Sequence, residues 1–419
     1  MTELSFDTLF VVCLLGAAVP LSLGYLPRLR LPSAVLEIGT GVVVGPAVLG
    51  WVEPDEPVLV VALLGLAVLL FLAGLEIDVS QARRRDLSLA VLSYAVTLLL
   101  GAAVALALAG IGWVQSPALV AIALSATSLG LVVPVLKDAG QAHSALGQVV
   151  IVGSSVADVA SIVLLSVLFS SEGGTASRIV ILLTFCAVVA GIVIGAIGAR
   201  RSSRTRAVIE ALQDSTAQIR IRLSIVLLVG LTALAARVGL ETILGAFLAG
   251  VVLSVLDRRP QDHPRLRNGL DAIGFGFLVP VFYVVTGLQL DLAELTSSAE
   301  ALLQVPVLLT GLLVVRGLPA VLHLRSLGLR SSIAVGLLQA TSLPFLVAAA
   351  MVGRELELLA PATATALVTS GVLSVAVFPT AAYALLGGRS SSAADDALDG
   401  PAGAPAADRQ QTWSEQPPS

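Results

Sequence analysis

Asp158 stands in the middle of residues 147–169, GQVVIVGSSVADVASIVLLSVLF, an apolar run long enough to cross a bilayer. A carboxylate there lacks bulk water, and ionising it costs several kcal/mol unless the protein compensates. Ser154 and Ser155 precede it by four and three residues and share its helix face. Two other apolar segments are interrupted by related polar motifs, Ser125-Ala126-Thr127-Ser128-Leu129-Gly130 and Gln339-Ala340-Thr341-Ser342-Leu343-Pro344. Gly130 and Pro344 weaken a helix at matching points. Hydroxyls beside them suit broken helices, whose freed carbonyls and half-helix ends hold an ion. The alternative is hydroxyls bonded back to their own helix and a simple proline kink. A carboxylate among hydroxyls and unwound carbonyls is a hard-oxygen site for a small cation such as Na⁺ or the larger K⁺. It holds either a proton or a cation, and that competition is sufficient to couple opposite movements of the two. Thr127, Ser128 and Ser155 are the candidate oxygen ligands beside Asp158; Thr341 and Ser342 mark the mirrored motif.

Arg316 is the other charge deep inside an apolar span. Permanently charged, it must meet an acid, carbonyls or water. Support of a helix crossing is favoured over direct action on Asp158, because a fixed cation beside the site would repel the substrate. Glu37 and Glu241 lie nearer helix ends and are read as snorkelling, lining a funnel or pairing with Arg237. His143, His263 and His323 fall in polar connections and are read as solvated loop residues. Cys13 and Cys186 sit inside apolar spans, as small buried hydrophobes rather than a disulfide or metal site.

The elements that position these residues follow from composition. The 419 residues are 57% hydrophobic and 12% charged, with mean hydropathy +0.97 and net charge −4. Soluble domains are about 25% charged. Here apolar runs recur along the whole length, so the expected fold is an all-α polytopic membrane protein. About thirteen candidate helices emerge: 7–25, 32–50, 57–76, 87–110, 117–136, 145–169, 177–199, 219–236, 240–256, 271–288, 300–322, 331–351 and 362–387. The acidic N-terminus is no signal peptide, so the first span is expected to be retained. Basic residues crowd every second connection, among them Arg28, Arg30, Arg83, Arg84, Arg85, Lys137, Arg325 and Arg330. The positive-inside rule then places the N-terminus outside and the C-terminus in the cytoplasm of an inner membrane. Residues 388–419 are rich in Ala, Pro, Ser and Gly and read as a disordered tail, leaving 1–387 as the membrane domain. No phosphate-binding loop, metal cluster or nucleophile triad is visible, so no enzyme, cofactor, nucleotide or nucleic acid is expected.

The chain also repeats itself. Ala126-Thr-Ser-Leu129 recurs as Ala340-Thr-Ser-Leu343, and Gly74-Leu-Glu-Ile-Asp78 as Gly287-Leu-Gln-Leu-Asp291; the two offsets differ by one residue. Helix 2 and helix 9 enter from opposite sides. Residues of about 32–169 and 240–387 therefore form two five-helix repeats of inverted topology, with crossed broken helices at the bilayer midplane.

At this point the residues resemble a known family. Leu31-Pro32-Ser33-Ala34, Gly45-Pro-Ala-Val-Leu-Gly50, Leu69-Leu-Phe-Leu-Ala-Gly-Leu-Glu76, Ser125-Ala-Thr-Ser-Leu-Gly130, Val135-Leu-Lys137, Leu244-Gly-Ala-Phe-Leu-Ala-Gly250 and Pro280-Val-Phe-Tyr283 are similar to bacterial monovalent cation:proton antiporters, the branch of Na⁺/H⁺ exchangers and Kef-type K⁺/H⁺ systems. The resemblance implies a Na⁺/H⁺ antiporter-like fold and a homodimer. It also implies a scaffold of helices 1–3 and 8–10 beside a mobile core of helices 4–6 and 11–13, moving like an elevator. It gives Asp158 the place of the ion-binding acid and Arg316 that of a helix-11 base. Three departures stand out: Ala157 replaces the first member of the usual acidic or amide pair, the helix-12 motif lacks an Arg-Gly-Glu-like pattern, and no nucleotide-binding domain follows. One carboxylate makes one-for-one exchange of a proton for Na⁺ or K⁺ the simplest stoichiometry. A K⁺-selective exchanger without nucleotide control is the nearest alternative; a cation channel or a transport-inactive sensor is the alternative of another class.

Overall fold

The computed structural model describes residues 6–25, 32–77, 84–142, 144–169, 175–200, 218–257 and 264–386. Among them every regular element is helical: α1 Asp7–Tyr25, α2 Ser33–Val44, α3 Glu56–Leu75, α4 Arg84–Gly110, α5 Pro117–Ser125, α6 Leu129–Asp138, α7 Ala145–Phe169, α8 Thr175–Arg200, α9 Ile219–Arg237, α10 Thr242–Leu256, α11 Pro264–Ile273, α12 Val279–Leu288, α13 Leu292–Thr296, α14 Ala299–Leu312, α15 Leu324–Leu327, α16 Leu329–Gln339, α17 Pro344–Glu355 and α18 Pro361–Leu386. Ten helical stretches are long and apolar enough to cross a membrane by length and composition, and three shorter apolar ones, Ser33–Val44, Pro117–Val133 and Thr242–Leu256, accompany them. Little of the apolar surface of α1 and α8 is buried inside the protein. A helix apolar all round with so few protein contacts is matched to hydrocarbon. The chain is a multi-pass membrane protein.

Two long spans are irregular for one reason. A π-helical turn, Gly274–Leu278, joins α11 to α12, and another, Leu313–Gly317, follows α14. Each ends two residues before a proline, Pro280 or Pro319. The proline ring crowds the carbonyl four residues back and withholds one N–H, so the ladder loosens there. The second span then runs on through the 3₁₀ stretch Leu318–His323 to Leu327. This corrects the reading of His323 as a solvated loop residue: it is buried, at 6% exposed. Glu37 is likewise buried rather than snorkelling, at 4% exposed on α2. Cys186 faces outward from α8 and Cys13 is half-buried, so neither is the fully buried hydrophobe expected; both are free thiols. His143, His263, Arg28, Arg30, Arg83, Asp78 and the tail 388–419 lie outside the described residues.

The helices pack in two groups. In the first, α2 lies on α12, α3 on α10 and α12, and α9 on α10. Two crossings there are built on glycine. A Cβ at Gly41 would overlap the Val284 carbonyl, and one at Gly287 the Ile38 carbonyl; a Cβ at Gly74 would overlap the Phe247 carbonyl, and one at Gly250 the Phe71 carbonyl. Backbones therefore touch directly at α2–α12 and again at α3–α10, an approach only small residues permit. In the second group α4 packs on α5 and α7, α16 on α7 and α18, and α14 and α17 on α18. The long helix α4 turns one stripe inward, Ala90, Ser93, Tyr94, Thr97, Gly101, Ala105 and Leu108, at helical spacing. Tyr94 and Thr97 in this stripe reach the end of α5, α7 and Arg316.

Candidate functional site

Both polar motifs break their helices. α5 stops at Ser125, whose hydroxyl donates back to the Ile122 carbonyl at 2.8 Å. Ala126 is extended at φ −77°, ψ 160°, and Ser128 begins α6 from φ −124°, ψ 94°. On the other side α16 stops at Gln339, and Pro344 opens α17 from the first turn, where its missing N–H costs nothing. In a bilayer the freed backbone groups need partners inside the protein. The two breaks supply them by meeting. The Ser128 N–H donates to the Thr341 carbonyl at 3.0 Å, and the Thr127 hydroxyl to the Gln339 carbonyl at 2.8 Å. The Ser342 N–H donates to Ser374 Oγ on α18 at 3.1 Å.

Arg316, at 1% exposed, locks this crossing. Its Nε donates to Thr127 Oγ1 at 2.7 Å and to the Gln339 carbonyl at 3.3 Å, and its Nη1 to Thr97 Oγ1 on α4 at 3.5 Å. The guanidinium thus sits at the carbonyl end of α16, where the helix dipole favours a cation. Asp158 has the opposite environment. The Leu129 N–H, in the first turn of α6, donates to its Oδ2 at 3.4 Å. An anion at a helix N-terminus is favoured by the unpaired N–H groups and by the dipole. The two buried side chains each meet a helix end of the opposite sign.

Asp158 opens onto a small cavity, about 20 Å³ of space for the centre of a water-sized sphere, walled by Leu69, Leu70, Ala73, Thr127, Ser128, Leu129, Gly130, Ile162, Phe247, Pro344 and Phe345. Of the residues singled out in sequence, the wall brings together Asp158, Thr127 and Ser128. Thr127 donates its hydroxyl proton to Gln339 and accepts from Arg316, so that hydroxyl is already engaged. Ser155 donates to the Ile151 carbonyl of its own helix at 2.8 Å, and Thr341 to Leu337 at 3.2 Å. The buried Ser154 and Ser342 hydroxyls have no hydrogen-bond partner. Ser155, Thr341, Ser342 and Arg316 do not line the cavity.

Sequence reasoning missed four contributors. Tyr94 bridges Ser161 at 2.9 Å and Ser125 at 3.3 Å, tying α4 to α7 and to the end of α5. Thr97 and Ser374 hold Arg316 and Ser342. The signal for Tyr94 and Thr97 was present: in an apolar 27-residue helix they fall on one face. Glu76, quoted in sequence only within a repeated motif and a family-like segment and given no role, follows the last residue of α3 and lies 3.9 Å from where a Cβ on the cavity residue Gly130 would stand.

Comparison with known proteins agrees with this fold. The fold matches the sodium proton antiporter MjNhaP1 of Methanocaldococcus jannaschii at pH 8 with a TM-score of 0.63 at 16% identity, over 91% of this chain and 97% of that one. The profile of the family "Sodium/hydrogen exchanger, transmembrane" matches residues 12–386, and the chain belongs to that family. It is 31% identical over 393 residues to the putative Na⁺/H⁺ antiporter YjbQ of Bacillus subtilis, covering 89% of this chain and 62% of that protein. It is 27% identical to the glutathione-regulated potassium-efflux system protein KefC of Klebsiella pneumoniae, over 87% of this chain and 58% of that protein. The chain thus spans about three-fifths of the length of these two relatives.

Proposed function

We propose that this protein exchanges a monovalent cation, Na⁺ or K⁺, for protons across the membrane, with Asp158 holding one or the other in turn. The observation that carries the reading is the placement of a buried carboxyl on a small cavity where two broken helices cross. Family membership and the antiporter names of the relatives support it. One-for-one exchange is the simplest stoichiometry, because Ala157 leaves Asp158 as the one acid of the adjacent residue pair on α7. The second helix group is the moving body and the first the scaffold; two copies associate through the scaffold in a cell's inner membrane, with the C-terminus in the cytoplasm. The two glycine crossings, α2 on α12 and α3 on α10, are the mates expected of inverted repeats and support that plan.

The test uses everted vesicles with a preformed pH gradient and a pH-sensitive dye. The wild type dissipates the gradient on addition of Na⁺ or K⁺, and a series across Li⁺, Na⁺, K⁺ and Rb⁺ ranks the substrates. Asp158→Asn, which keeps shape and an acceptor for the Leu129 N–H, abolishes exchange while leaving a monodisperse protein. Wild-type exchange in that variant would end the reading.

A further inference from the structure

We propose that Glu76 is a second carboxylate of the cation site, contributed by the opposite helix group, so that the ion meets two acids in one arrangement of the groups and one acid in the other. The inference rests on the role given to Asp158 above. Glu76 follows the last residue of α3, with its N–H bonded to the Leu72 carbonyl at 3.1 Å. Its Oε2 is buried and has no hydrogen-bond partner. A carboxylate at a helix C-terminus also faces the negative end of the dipole, so its own helix does nothing to stabilise it. A buried acid without a local partner is a ligand in waiting or a costly defect.

Position decides between these. Leu69, Ala73 and Glu76 follow one another at spacings of four and three and so share a face of α3. The first two wall the Asp158 cavity. Gly130 is on the wall too, and a Cβ added to it would meet Glu76 Oε2 alone, at 3.9 Å. Gly130 directly follows Leu129, whose N–H holds Asp158. The residue between the two carboxyls therefore has no side chain to stand between them.

The charged groups acting on Glu76 are Lys137, Asp271, Arg267 and, across the cavity, Asp158. Lys137 lies two turns beyond Gly130 on the same face of α6, and Arg267 and Asp271 stand four apart on α11. α3 and α11 belong to the first group and α6 and α7 to the second. A cation between Glu76 and Asp158 would bridge them, and Lys137 would take its place beside Glu76 when the groups shift. Ala157, which leaves Asp158 without a neighbouring acid or amide, makes this outside charge the larger influence on affinity.

The test is exchange kinetics of the full-length protein in proteoliposomes, with the cation that drives the wild type. Glu76→Gln raises the apparent KM for that cation about tenfold or more, while the maximal rate stays within about threefold, the loss of one nearby opposite charge. Adding Ala157→Asp to that variant restores a low KM by placing an acid beside Asp158. If Glu76→Gln does not purify intact, Glu76→Asp, whose carboxyl is one methylene shorter, shows a smaller KM rise of the same sign. A wild-type KM in Glu76→Gln, or a lost rate at unchanged KM, overturns the proposal while a dead Asp158→Asn leaves the Asp158 reading intact. Exchange surviving in Asp158→Asn is the separate outcome that removes its foundation.

Discussion

The lock between Arg316 and Thr127 can be measured as a coupling. Their 2.7 Å bond joins a charged donor to a hydroxyl, in residues 1% and 3% exposed. Such bonds contribute about 1.5–3 kcal/mol each. Thr127→Val is close in volume and removes this acceptor together with the proton given to the Gln339 carbonyl, a neutral bond of about 0.5–1.5 kcal/mol. The expected cost is about 2–4.5 kcal/mol. Arg316→Met removes the same charged bond and the longer contacts to Gln339 and Thr97. It also relieves the burial of a guanidinium whose Nη2 has no partner, so its net cost is smaller, about 1–3 kcal/mol. The double variant should then fall short of the summed losses by about 1.5–3 kcal/mol. Detergent-solubilised protein melted with each single and double variant reads this out as non-additive shifts in apparent Tm. Exchange supplies the second arm: because the guanidinium is held by the crossing, Arg316→Met lowers the rate and leaves the cation KM within about threefold. Additive melting shifts, or a KM raised more than tenfold at unchanged rate, would refute the assignment of Arg316 to the crossing.

Two further substitutions probe the frame. Gly250→Ala drives a Cβ into the Phe71 carbonyl and should cost about 1–3 kcal/mol, lowering the melting temperature and membrane yield, whereas Gly230→Ala, with no atom within 4 Å of the added Cβ, leaves both unchanged or slightly improved. Ser374→Ala strands the Ser342 N–H at the second break and should destabilise by about 1–3 kcal/mol, seen as faster hydrogen exchange at residues 340–343.

Much of this was legible in the sequence for simple reasons. Hydrocarbon admits few ways to arrange a backbone, so long apolar runs announce helices, and α1, α7 and α9 begin or end within a residue or two of where hydropathy puts them. The breaks at Ala126 and Ala340 were legible because Gly130 and Pro344 interrupt runs that otherwise have no reason to stop. What could not be read was which hydroxyls are free. Thr127 and Ser155 look alike in sequence, yet one is clamped by a distant arginine and the other bonds to its own helix. Those partners lie on other helices or follow from local backbone geometry. His323 was misplaced because the apolar run was taken to end at Leu322, while the helical span continues through loosened turns to Leu327. Glu76 was hidden by its position at a helix end, where acids are ordinarily solvated; only the packing of α3 against α6 shows that its carboxyl oxygen is enclosed.

The pairing of Asp158 and Arg316 within one helix group has an electrical consequence. Empty and ionised, the two side chains sum to no net charge. Loaded with a proton or with a monovalent cation, the same group carries one positive charge in either case. In the exchange cycle proposed above, a membrane voltage would therefore act equally on the two loaded forms that cross in opposite directions, and over a full cycle its work would cancel. On this geometry the pH gradient finally set by a given Na⁺ gradient should be the same whether or not valinomycin and K⁺ clamp the vesicle voltage, the end point being fixed by the concentration gradients alone.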